Sequence, residues 1–163
     1  TLKAGLQAVP SHQLHYSLGL LYEKAGRLDA AIEEMRKVLV LDAKNADALN
    51  FIGYSYADRG INLTEAEDYV SRALAMKPGN GYILDSMGWV YFRQNKMELA
   101  IKYLREAASA LPDDPTIAEH LGDAYAKAGR IEEAIEVYMR VLKAHPDNKS
   151  VQEKIDKLRA QKL

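Results

Sequence analysis

Four glycines, Gly19, Gly53, Gly88 and Gly122, lie 34, 35 and 34 residues apart, and each sits in the same short word. An apolar residue precedes the glycine (Leu18, Ile52, Met87, Leu121), and a tyrosine follows three places later (Tyr22, Tyr56, Tyr91, Tyr125). Spacing in this range marks stacked supersecondary repeats, each of which buries its apolar face only against its neighbours. Alanines recur twelve residues after the glycine at Ala31, Ala100 and Ala134. In the second repeat the equivalent is Ala66, thirteen residues on, which predicts a one-residue insertion in the turn at 60–63. Prolines at Pro78, Pro112 and Pro146 close three of the repeats, with Ala43 in that place in the first.

Each repeat therefore reads as helix, short turn, helix and stop. Leu14, Leu18, Leu21 and Tyr22 recur at three- and four-residue spacing, as do Leu28, Ile32, Met35 and Leu39 after the turn. In the turns Ala25–Asp29 and Ala128–Glu132, Gly26 and Gly129 can take the left-handed conformation that ends a helix. Thr64 with Glu67 predicts a capping box at the start of the second helix of repeat two. A glycine inside a helix costs about 1 kcal/mol against alanine. Four at fixed spacing need an offset, and close approach of the partner helix through its small alanine is the expected one.

The series Leu18-Gly19…Tyr22…Ala31…Val38, Ile52-Gly53…Tyr56…Ala66…Ala73…Pro78, Met87-Gly88…Tyr91…Ala100…Ala107…Pro112 and Leu121-Gly122…Tyr125…Ala134…Val141…Pro146 resembles tetratricopeptide repeats. The resemblance implies an all-α fold, a right-handed superhelical solenoid of antiparallel helix pairs with a C-terminal capping helix. The divisions are 1–10, the tail of a truncated preceding repeat ending at Pro10; 11–45, 46–80, 81–114 and 115–148, the four repeats; and 149–163, the cap. Val151, Ile155 and Leu158 give the cap a narrow apolar stripe. Two departures stand out. The first-helix Trp of the family is replaced by His15, Leu49, Leu84 and Ala118, and Glu67 stands where the other repeats have Ile32, Ile101 and Ile135. Looser packing is expected in the second repeat, with Tyr69 covering the gap.

Catalysis finds few residues to rest on. No phosphate-binding glycine loop and no nucleophile elbow is present, and Ser55 and Ser86 have no histidine at a matching place. His12 and His15 are three apart but lack a third ligand, so no metal is expected; His120 and His145 read as isolated surface or packing residues. Glu33, Glu34, Glu65, Glu132, Glu133 and Glu136 read as a solvated face of the second helices. With a net charge of -1 and interleaved signs, nothing suggests a nucleic-acid footprint, and no apolar run is long enough for direct membrane insertion. There is no cysteine, hence no disulfide framework, and no cofactor is implied.

In the family the first helices line a concave groove. Carried over position by position, that groove holds Tyr16, Leu20, Asn50, Phe51, Tyr54, Tyr82, Asp85, Trp89, Phe92, Arg93, Glu119 and Asp123. The cations of the family's terminal-carboxylate clamp are absent from the matching places, which argues against binding of chaperone tails. Aromatic rings concentrate instead in the first three repeats, as anchors for a partner peptide or helix. Asn50 would bond its backbone, and Asp85 and Arg93 would set its register.

The expected function is thus a non-catalytic protein-interaction scaffold or adaptor. The alternatives are a self-assembling homo-oligomer and the regulatory part of a longer enzyme. The tract from Asn62 to Leu74 followed by Tyr82 to Arg93 is similar to C-terminal repeats of bacterial envelope adaptors of this family. That resemblance implies a bacterial protein of the envelope or periplasm, with the cytoplasm as the alternative.

Overall fold

The computed structural model of the protein describes residues 11–160, so the segment 1–10 assigned to a preceding repeat lies outside it. Among the described residues there are nine α-helices and no strand. They fall into two compact units, residues 1–78 and 79–163. The first unit holds α1 (His12–Lys24), α2 (Leu28–Leu41), α3 (Ala46–Arg59) and α4 (Leu63–Met76). The second holds α5 (Gly81–Arg93), α6 (Met97–Ala110), α7 (Pro115–Lys127), α8 (Ile131–Ala144) and α9 (Lys149–Ala160).

One kind of turn makes every pair. Gly26 and Gly129 take φ of 71° and 77°, left-handed as their sequence context predicts. The next amide, of Arg27 or Arg130, donates to the carbonyl of Tyr22 or Tyr125 at 2.8 and 2.9 Å, the six-to-one bond that closes a helix end. Asn95, at φ 63°, serves the third repeat. The ring of the repeat tyrosine receives the cation that follows, which explains part of why it recurs. Arg27 lies 4.7 Å from the Tyr22 ring centre, Lys96 5.4 Å from Tyr91 and Arg130 4.7 Å from Tyr125.

In the second repeat Gly60 takes the left-handed place, and Asn62 adopts a second left-handed conformation at φ 48°. That second bend feeds the chain into α4 at Leu63, so Thr64 is already inside the helix and the capping box does not open it. Side-chain caps are found elsewhere. Asn45 accepts from the Ala48 amide at 3.0 Å, Asn80 from Ile83 at 3.2 Å, Asp114 from Ile117 at 3.1 Å and Asn148 from Val151 at 3.1 Å. They open α3, α5, α7 and α9.

The repeat glycines are buried, and the carbonyls of Ala31 and Ala66 lie close to Gly19 and Gly53 as expected, but the nearest atoms at all four belong to a larger side chain. A Cβ on Gly53 would stand 2.5 Å from Val70 Cγ2, and one on Gly88 2.5 Å from Leu104 Cγ. On Gly19 it would meet Met35 Cε at 2.8 Å, and on Gly122 it would enter the ring of Tyr138. Met35, Val70, Leu104 and Tyr138 each follow the repeat alanine by one helical turn. The alanine lets the helices come together, and the glycine vacates volume for a large side chain beside it. Within the first unit Glu67 is half-buried, while Tyr69 lies edge-on to Tyr56 at 6.4 Å with its Cβ near Gly53. In the second unit α9 buries Val151, Ile155 and Leu158 in the same cluster as Val137, Tyr138 and Val141.

Candidate protein-interaction faces

In the first unit, α1 and α3 carry five of the residues expected to meet a partner. Tyr16, Asn50, Phe51 and Tyr54 are half-buried, and Leu20 is 40% exposed. Burial, then the nearby Asp47 carboxylate, pushes the Tyr16 phenol above its ordinary range. Asp47 in turn accepts from Lys77 Nζ at 2.7 Å. A cavity of about 310 Å³ opens beside Tyr16, Gln13, Asn45 and Asp47. The carboxamide oxygen of Asn50 is buried and has no hydrogen-bond partner among the described residues. A buried acceptor left unmet is uncommon in a folded protein.

Beneath this face, Glu34 is not part of a solvated surface. It is buried, and accepts from His15 Nδ1 and from Lys37 Nζ at 2.7 Å each. Burial works to raise its carboxyl, but the bonds from Lys37 and His15 outweigh it and hold the group below the usual carboxylate range. The repeat register carried the warning, since the corresponding position holds Tyr69, Tyr103 and Val137 in the other repeats, half-buried in two and buried in the third.

The second unit uses its first-helix face differently. Tyr82 is 59% exposed, and Arg93 is half-buried. Asp85, expected to face a ligand, is buried and bonded to His120 Nδ1 at 2.9 Å. His120 is therefore neither isolated nor on the surface. Trp89 is half-buried, stacked on Phe92 at 4.6 Å and on His120 at 4.2 Å, with its indole N–H buried and unpartnered among the described residues. Lys127 donates to the Phe92 carbonyl at 3.3 Å and sits 4.4 Å from its ring centre. Glu119 and Asp123 both accept from Lys154 Nζ at 2.7 Å, and Asp123 also accepts from the Tyr138 hydroxyl. Burial opposes the Lys154 ammonium, but Asp123 and Glu119 hold it above its ordinary range. Burial, then Asp123, pushes the Tyr138 phenol far up.

These contacts share a register. Asp85 with His120, Glu119 with Lys154, and Phe92 with Lys127 are each 35 residues apart. An acid three places before one repeat glycine meets a base two places before the next, and Lys154 on α9 continues the series past the last glycine. In the first unit those two places hold Tyr16 and Phe51. Pairing acids with bases at that one spacing would have found His120 and Lys154 from sequence alone.

Among the described residues, no group of three His, Cys, Asp or Glu is placed to hold a metal ion, and no helix is long and apolar enough to cross a membrane. The Tetratricopeptide repeat family model matches residues 1–46, 16–81 and 86–149. The chain belongs to the tetratricopeptide-repeat family. As a member of this family it has a fold that serves as a scaffold for protein–protein interaction and is typically non-catalytic. It is 37% identical over 106 residues to the TPR repeat-containing protein PA4667 of Pseudomonas aeruginosa, a match that takes in 64% of this chain and 18% of that protein. The thermophilic TPR protein TTC0263 of Thermus thermophilus superposes with a TM-score of 0.78 at 20% identity, over 96% of this chain and 86% of that one. YrrB, described as a TPR protein with an unusual peptide-binding site, gives 0.74 at 21% identity over 99% and 84%. MamA gives 0.72 at 26% identity over 96% and 87%.

Proposed function

We propose that this repeat array is a docking module that takes a partner peptide or helix on the aromatic face of α1 and α3, and makes no bond chemistry of its own. The open apolar surface carries the reading: Leu20 on α1 is 40% exposed, and Tyr16 on α1 with Phe51 and Tyr54 on α3 are only half-buried. An extended partner segment rests its apolar side chains on Tyr16, Leu20, Phe51 and Tyr54. The aromatic rings provide area at low entropic cost, and micromolar affinity, about -8 kcal/mol, suits such a surface. In the second unit Trp89, Phe92, Asp85, Glu119 and Asp123 chiefly hold the helices of that unit to one another.

A photo-crosslinking residue placed at Tyr54 is expected to trap the partner, and Phe51→Ala with Asn50→Ala is expected to abolish trapping at unchanged helicity. Equal trapping from Glu33 on α2 would overturn the assignment. Self-association is a second reading, favoured by Leu21, which is 48% exposed where its repeat equivalents Ser55 and Ala124 are buried. Sedimentation over a range of concentrations separates the two.

A further inference from the structure

We propose that the second unit has its own acceptor pocket, at the end of α7 against α9, for an acidic residue with an apolar neighbour on a partner polypeptide. This deepens the docking reading above and rests on it. The cavity holds about 330 Å³, with Phe92, Ala126 and Leu158 as apolar wall and Lys127, Lys154 and Lys157 around it. The three ammonium groups are not equivalent. Lys154 is saturated by Glu119 and Asp123. Lys127 touches only a neutral carbonyl and a ring, and Lys157 makes no hydrogen bond or ion pair among the described residues.

Asp123, the one carboxylate of the wall, shares Lys154 with Glu119, so two carboxylates meet three ammonium groups around the cavity. One net positive charge thus remains beside an apolar hollow, and Lys127 and Lys157 bond no carboxylate among the described residues. A carboxylate entering there gains two charge-assisted contacts, and its apolar neighbour covers Phe92 and Leu158. A polypeptide carries both groups in adjacent residues. Nucleic acid offers anionic charge without aliphatic side chains, and the chain lacks the basic face it would need.

The probe is the capped peptide Ac-Ser-Leu-Glu-Glu-Leu-Ser-NH2, titrated into the full 163-residue chain and followed by backbone amide NMR shifts. Saturable shifts are expected at the end of α7 and along α9, weakening severalfold as salt is raised. The Gln-for-Glu peptide should bind at least about tenfold more weakly. Lys127→Gln with Lys157→Gln should lower affinity about tenfold while leaving the circular dichroism unchanged, because neither ammonium bonds a carboxylate of the fold. The proposal is overturned by no saturable shift, by equal binding of the two peptides, or by an unaffected double variant. A concentration-dependent rise in mass that Lys157→Gln abolishes would assign the pocket to a second copy and overturn it equally. Crosslinking at Tyr54 that persists when the peptide fails leaves the docking reading standing and removes only this pocket.

Discussion

The two compact units place different chemistry at the same repeat positions. Three and two places before successive glycines, the second unit has Asp85 against His120 and Glu119 against Lys154, while the first has Tyr16 and Phe51. Charged pairs there hold neighbouring helices of the second unit to each other and use up side chains that a partner would otherwise meet. Rings there leave the first unit a half-exposed apolar surface. A repeat position thus has no fixed role; the residue it carries decides whether it holds the array together or serves a visitor.

The sharpest way to break this contrast is to truncate both sides of it. His120→Ala strands the buried Asp85 carboxylate and removes the ring under Trp89, so a loss of about 3 kcal/mol is expected in urea unfolding. Phe51→Ala, from a half-buried site, should cost about 1–2 kcal/mol and abolish partner trapping. A larger stability loss from Phe51 would invert the comparison. Next in size are the glycines. Gly122→Ala drives a methyl into the Tyr138 ring and should cost about 2 kcal/mol in thermal melts. Gly19→Ala crowds chiefly the unbranched end of the Met35 side chain and should stay within about 1 kcal/mol of the parent, since the gain in helix propensity offsets the crowding.

Lys154→Ala should cost about 1 kcal/mol, read as faster amide exchange confined to α9. If exchange rises equally throughout the second unit, Lys154 is not a local latch. The smallest effect belongs to acid. Glu34 has a depressed pKa, so its contribution is complete above its ordinary value of 4.5 and is lost as pH falls through the lower folded value. Glu34→Gln should flatten the acid limb of the α1 and α2 exchange profile. An unchanged limb would show that the bonds to His15 and Lys37 add nothing.

The fold was legible because its signals are local and repeated. Gly26 and Gly129 needed only their turn context, and the stripe of Val151, Ile155 and Leu158 needed only helical spacing. What sequence missed depended on neighbours. Thr64 had the right partner three residues on, yet an inserted residue upstream bent the chain into the helix too early for a cap. Glu34 looked like its exposed neighbour Glu33, although its depth is set by a partner helix nineteen residues away. The twelve proposed contact residues were chosen by helical face alone. A face says where a side chain starts, and Asp85, Glu119 and Asp123 were then claimed by bases one repeat further on.

The 35-residue latch also limits how such an array can be rebuilt. A segment cut from one glycine word to the next carries an acid whose base belongs to the following segment, and a base whose acid belongs to the one before. Shuffling whole repeats within the second unit would therefore orphan charges at every seam. Cuts placed midway along the first helices would transplant cleanly only if they kept Asp85 with His120 and Glu119 with Lys154.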